Sequence, residues 1–201
     1  MKKRIWNWLA TLAVASLPAI TLGAEVGQAA PAFTLSGLDG GTYSLESFRG
    51  KTVVLEWINH DCPFVKKHYE SGNLPALQKE FAGKGVIWLA IGSSAPGKQG
   101  HFTSEVWKQR NEAVGFAAKA LLLDPEGVAG RAYGARTTPH MFIINPEGLL
   151  VYAGALDDKP SANPKDIEGS VNYVRKALEE VLAGKPVSTP STRAYGCSVK
   201  F

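Results

Sequence analysis

The stretch Leu55-Glu-Trp-Ile-Asn-His-Asp-Cys-Pro-Phe-Val-Lys-Lys-His-Tyr69 changes character at its middle. Its front half ends the run Lys51–Ile58 (KTVVLEWI), which is β-branched, aromatic and apolar on both faces, the pattern of a central parallel strand. Its rear half opens a helix: Asp61 is a capping residue type, and Pro63 suits a first turn whose N–H has no partner anyway. Cys62 therefore falls where a buried strand hands over to a helix. A thiol there faces the positive helix end, with His60, Lys66, Lys67 and His68 close by in sequence, and both features favour the nucleophilic thiolate. The alternative is a small buried hydrophobe. Along the alternating strand Glu56 shares a face with Val54 and Ile58, so it is expected to be buried. Desolvation raises the pKa of a buried carboxyl, which then relays a proton to and from a thiol. The competing expectation is an acid at the edge of the core, paired with a lysine.

Outward from this stretch the pattern alternates. Phe33-Thr-Leu35 and Thr42-Tyr-Ser-Leu45 flank the turn Asp39-Gly-Gly41 and read as an N-terminal β-hairpin. Gly72-Asn73 interrupts the helix begun at Cys62, and Leu74–Phe81 resumes it. Gly85–Gly92 (GVIWLAIG) is a second buried strand, Thr103–Val114 a helix capped by Thr103 or Ser104, and Lys119–Leu123 a strand. A short helix falls within Pro125–Tyr133. Met141–Asn145 and Leu149–Gly154 flank the turn Asn145-Pro-Glu-Gly148 as a hairpin. Ile167, Val171, Val174, Leu178, Val181 and Leu182 recur at helical spacing, predicting one helix over Asp166–Ala183 that ends at Gly184 and Pro186. This order specifies an α/β fold, a central mixed β-sheet flanked by helices, followed by an extended, Ser/Thr-rich tail over 187–201.

With 45% hydrophobic and 20% charged residues in 201, the chain is neither disordered nor fibrous. Three of the cations behind its net charge of +4 are Lys2, Lys3 and Arg4, directly before the apolar stretch Ile5–Gly23. A cationic end, an apolar segment and then small residues is the order of a secretory leader over residues 1–24. Its removal near Ala24 takes the charge from +4 to +1 and with it the support for a nucleic-acid partner. The alternative is an uncleaved membrane anchor, which Asn7 and Pro18 interrupt. A periplasmic or secreted chain is expected, with no membrane contact once the leader is gone, and residues 25–186 as one domain. Export makes Cys62 and Cys197 a pair able to form a disulfide.

The strand–Cys–helix segment resembles that of the thioredoxin superfamily, and more narrowly the redoxins grouped with alkyl hydroperoxide reductase and thiol-specific antioxidant proteins. Thr137-Thr-Pro-His-Met-Phe-Ile-Ile144 resembles the segment in which thioredoxins hold a cis proline facing the active cysteine, which assigns that part to Pro139. Asn145-Pro-Glu-Gly148 with Val151-Tyr-Ala-Gly154, and the leading Ala32-Phe-Thr-Leu35, match the flanking hairpins. The resemblance covers about residues 31–185 and implies a thioredoxin-like fold with Cys62 as nucleophile. Glu56 stands where thioredoxins carry a buried acid.

The departures bear on the chemistry. Thioredoxins use Cys-x-x-Cys, and Val65 holds the second position here. Peroxiredoxins use Pro-x-x-x-Thr-x-x-Cys, and Leu55 and Asn59 stand for the Pro and the Thr, although an Asn59 amide still offers a peroxide a hydrogen bond. Arg136 beside the Thr-Pro segment either reaches the site or is a surface residue. Cys197, at the end of a tail with mobile composition, is expected to resolve the disulfide or sulfenate formed at Cys62. A permanent structural bridge is the alternative, because closing a loop longer than about 100 residues stabilises by roughly 5 kcal/mol in the chain-entropy account. The expected activity is thiol–disulfide exchange with protein or small thiols, fed by an electron-donor thiol protein. Peroxide reduction, or a non-enzymatic binding or assembly role, stands as the alternative. His60, Cys62, His68 and His140 match no zinc-finger spacing and include only one thiolate, so no metal is expected. Gly92–Gly100 lacks a phosphate-loop signature, and no cofactor is expected either.

Overall fold

In the computed structural model, which describes residues 23–201, the elements are β1 (Thr34–Gly37), β2 (Thr42–Ser44), β3 (Val53–Trp57), α1 (Pro63–Glu70), α2 (Asn73–Gly83), β4 (Ile87–Gly92), α3 (Ser104–Ala113), β5 (Ala120–Leu123), α4 (Val128–Tyr133), β6 (Thr137–Thr138), β7 (His140–Ile144), β8 (Leu150–Gly154), α5 (Tyr173–Leu182) and β9 (Cys197–Ser198). The leader expected over 1–24 lies almost entirely outside the described residues. Among the described residues no helix is long and apolar enough to cross a membrane.

β3 is buried at every position because it is central in the order β2-β1-β5-β4-β3-β7-β8. It pairs parallel with β4 and antiparallel with β7, so the sheet is mixed. The N-terminal hairpin joins by β1 pairing antiparallel with β5. Alternation along β3 divides the core. Val54 and Ile58 pack with Trp88, Met141 and Cys62 beneath α1, α2 and α5, through Tyr69, Leu77, Phe81, Val174 and Leu178. Val53, Leu55 and Trp57 pack on the opposite face with Phe33, Phe142 and the α4 residues Ala129 and Tyr133. The fold is the helix-flanked mixed sheet that the sequence specifies.

Two expectations about helix starts differ from the structure. The helix expected over Asp166–Ala183 begins only at Tyr173, where the Asn172 side chain accepts from Arg175 N at 2.8 Å. A single 3-10 turn, Pro164–Ile167, and Gly169 at φ +73° break the earlier part, and Val171 is 49% exposed. The apolar spacing of Ile167 and Val171 continued the helical period without continuing the buried face. Asp61 does not cap α1 either. Cys62 is itself the N-cap residue, and the Asp61 carboxylate pairs with Arg110 on α3. The turn between α1 and α2 needs Gly72, whose φ of +76° is a left-handed conformation that costs a side-chain-bearing residue steric strain.

The tail expected to be mobile is tied along its length. Ala153 N donates to Pro190 O, and Thr192 N to Ala153 O. Thr192 Oγ1 accepts from Ala155 N and is 2.7 Å from the Tyr152 hydroxyl. β9 pairs antiparallel with β6, Val199 N donates to Arg136 O, and Ala95 N donates to Lys200 O.

Candidate active site

Cys62 sits at the N-terminus of α1 with its side chain fully buried. Its N–H donates to Asn59 O, and its carbonyl accepts from Val65 N and Lys66 N, which fixes the backbone at the strand–helix turn. The thiol donates to Thr138 O at 2.9 Å. Thr138 precedes Pro139, and the bond between them is cis. The same Thr138 is the register partner of Cys197 in the β6–β9 pair. One residue thus receives the Cys62 thiol and carries the strand that brings Cys197. Both cysteines are free thiols. Burial, then the hydrogen bond and charge of neighbouring Cys62, push the Cys197 thiol up to about 11.

Gly196 makes this approach possible. Its φ is +134°, and a Cβ there would stand 2.0 Å from Thr138 O. The tail meets the Thr138–Pro139 segment at backbone distance, which only a residue without a side chain permits.

Glu56 is fully buried, and its partners Tyr69 and Trp88 belong to the core layer that holds Cys62. Oε1 accepts from the Tyr69 hydroxyl at 2.8 Å, and Oε2 from Trp88 Nε1 at 2.7 Å and Gln78 Nε2 at 3.0 Å. Burial raises its pKa to about 7 against the opposing pull of those three donors. The carboxyl therefore titrates near neutrality, and among the described residues no lysine forms an ion pair with it.

A pH dependence of stability follows. The unfolded carboxyl ionises near 4.5 and the folded one near 7, so the folded chain holds the extra proton between those values. Stability from this group is complete below pH 4.5 and is lost as pH rises through 7. Unfolding free energies by urea titration should fall from pH 5 to pH 8 by about 2–3 kcal/mol more in the wild type than in Glu56→Gln. Parallel profiles for the two proteins would refute the raised carboxyl.

The other residues singled out in the sequence are spread around this centre. Asn59 is buried, with Oδ1 accepting from Asp61 N at 2.9 Å and Nδ2 directed to Gln99 O at 3.5 Å. His60 Nε2 is 2.7 Å from Asn111 Oδ1, and burial lowers its pKa. Burial, then the charge of Arg136, lowers His140 to about 4. Arg136 is exposed, on the rim of a cavity of about 540 Å³ shared with His140 and Arg193. Among the described residues no group of three or more His, Cys, Asp or Glu side chains is arranged to hold a metal ion.

Two features had little sequence signal. Thr138 has none beyond its place before Pro139. The second is a buried ion pair: Lys67 Nζ lies 3.2 Å from Asp157 Oδ2, with side-chain exposures of 0% and 1%. The sequence presents Lys67 as part of the cationic surroundings of Cys62 and gives no sign of its partner Asp157.

Comparisons with known proteins bear on the family and the fold. The model of the AhpC/TSA family matches residues 26–153. The thiol-disulfide oxidoreductase ResA of Halalkalibacterium halodurans is 27% identical over 163 residues, covering 75% of this chain and 85% of that protein. An uncharacterized conserved protein from Geobacillus kaustophilus superposes with a TM-score of 0.76 at 28% identity, covering 93% of this chain and 98% of that one. The thioredoxin domain of a thiol-disulfide oxidoreductase from Bacteroides vulgatus shares the fold, with a TM-score of 0.53 at 23% identity and coverage of 73% and 97%.

Proposed function

The chain belongs to the AhpC/TSA family and is a redoxin of thioredoxin fold, and on that premise we propose that it is an exported thiol–disulfide oxidoreductase in which Cys62 attacks and Cys197 resolves. The observation that carries this reading is the β6–β9 pairing, which seats Cys197 against Cys62 at the Thr138–Pro139 turn. Cys62 attacks a substrate disulfide, one substrate thiol leaves with a proton, and a mixed disulfide remains. The charge of Cys62 is one cause of the raised Cys197 pKa. Once Cys62 is covalently bound its sulfur is neutral, and Cys197 ionises more readily at the step in which it must attack. That attack releases the second substrate thiol and leaves a Cys62–Cys197 disulfide. Glu56 serves as a proton reservoir in the same core layer, and Pro139 shapes the turn that holds both sulfurs.

The proposed organisation is a leader over 1–24, the redoxin domain over 25–186 and the tail over 187–201. The proposed partners are thiol or disulfide proteins outside the cytoplasm and a thiol donor that reduces the pair again. Exchange is favoured over peroxide reduction because the Asn59 amide is engaged, with Oδ1 accepting from Asp61 N and Nδ2 directed to Gln99 O in the loop after β4, and the Cys62 thiol faces a carbonyl. The test is equilibration with glutathione and its disulfide, followed by mass spectrometry. A reversible Cys62–Cys197 bond is expected, formed and broken as the ratio changes. Failure to form it at any ratio would overturn the reading.

A further inference from the structure

Tyr195 lies two residues before Cys197, and its side chain enters a cradle built largely by α1, the helix that starts at Cys62. Its hydroxyl donates to Asp157 Oδ1 and is 3.4 Å from His68 Nε2. Its ring stands edge-on to Phe64 at 5.8 Å between centroids, with Lys67 Nζ 5.7 Å from the ring centre. Asp157 also takes Lys67 Nζ and the Lys159 N–H, and Lys67 reaches Lys159 O at 2.9 Å. His68 turns its other ring nitrogen to Asn73 at 2.9 Å. Burial and the Asp157 carboxylate raise the Tyr195 pKa, which keeps the hydroxyl a donor. Phe64, Lys67 and His68 are all on α1, so the clamp fastens the tail to the helix that carries the nucleophile.

We propose that Tyr195 is a positioning residue: its bond to Asp157 sets how effectively Cys197 competes with outside thiols for Cys62. The proposal rests on the resolving role assigned to Cys197. With the clamp made, Gly196 is the only residue between Tyr195 and Cys197, and the second thiol searches little space before it meets the first. With the clamp broken, the tail keeps its anchors at Thr192, at the β6–β9 pair and at Val199 but loses the one that fastens the segment before Cys197 to α1. The effective concentration of a tethered group falls as its tether loosens.

The experiment is the equilibrium with glutathione. Glutathione disulfide accepts two electrons from the two protein thiols, giving one Cys62–Cys197 bond and two glutathione thiols, through a mixed disulfide at Cys62. Tyr195→Phe keeps the ring and removes the hydroxyl. It should lower the equilibrium constant for the internal bond about tenfold, the loss expected for one hydrogen bond to a charged group, and raise the fraction held as Cys62–glutathione. Tyr43→Phe, which removes a tyrosine–aspartate bond on the exposed hairpin, should leave the constant within about twofold, the spread allowed for a distant independent site. A Tyr195→Phe constant equal to wild type, or an equal shift in Tyr43→Phe, overturns the proposal. A wild-type chain that forms no internal bond overturns the resolving role itself, and shows this before any variant is compared.

Discussion

Mixed with one equivalent of a small aromatic disulfide and no other thiol, the reduced wild-type chain should release two substrate thiols, Cys197→Ser one and Cys62→Ser none. The first thiol leaves when Cys62 attacks and the second when Cys197 displaces it, so the count reads the two steps separately. Loss of the nucleophile should slow the first release by about a hundredfold or more, since the thiol left at the site, Cys197, is partly buried and burial is the first cause that holds its pKa up. Each variant should remain folded. A serine hydroxyl at 62 still finds Thr138 O as an acceptor, and residue 197 is only partly buried. In Cys197→Ser, mass spectrometry should find the retained substrate half on Cys62. Two thiols released by Cys197→Ser would remove Cys197 from the chemistry, and one released by Cys62→Ser would place the nucleophile elsewhere.

Gly196→Ala should mimic the loss of Cys197 without touching a sulfur. The added Cβ meets Thr138 O at 2.0 Å and Thr138 C at 2.8 Å, both backbone atoms of the turn that carries Pro139, and neither can swing aside like a side chain. The φ of +134° is unfavourable to alanine as well. The tail must lift from β6, which takes Cys197 out of its burial and away from Cys62, the two causes that raise its pKa. Its thiolate fraction near pH 8.5 then rises, and alkylation should accelerate by about tenfold or more. The same variant should release a single thiol from the aromatic disulfide. Gly97→Ala is the matched control, with φ +77° and no atom within 4 Å of the added carbon. It should react as wild type does. Slow, wild-type-like labelling of Cys197 in Gly196→Ala would mean that the close backbone approach does not hold the tail.

The order of strands and helices was legible because each buried strand carries its own signal. Val53–Trp57 and Ile87–Gly92 are β-branched and apolar at nearly every position, as strands covered on both faces must be. Glu56 was legible as a buried acid from its place in that alternation. Its three donors were not, because Tyr69, Gln78 and Trp88 come from three elements whose packing no local pattern encodes. Lys67, Asp157 and Tyr195 were missed for the same reason. Each is an ordinary polar residue in its own neighbourhood, and only the return of the tail past α1 joins them. The start of α5 was misread because periodicity reports spacing without burial, and Gly169 and Asn172 outweighed it.

The tail does one more thing by lying where it does. β8 ends one side of the seven-stranded sheet, and a strand in that place offers its backbone to any extended chain that comes alongside. Pro190 and Thr192 occupy the Ala153 amide and carbonyl from within the same molecule. A chain whose tail has been loosened or proteolytically trimmed should therefore lose solubility as well as its second thiol, because the shield against self-association and the bearer of Cys197 are one segment.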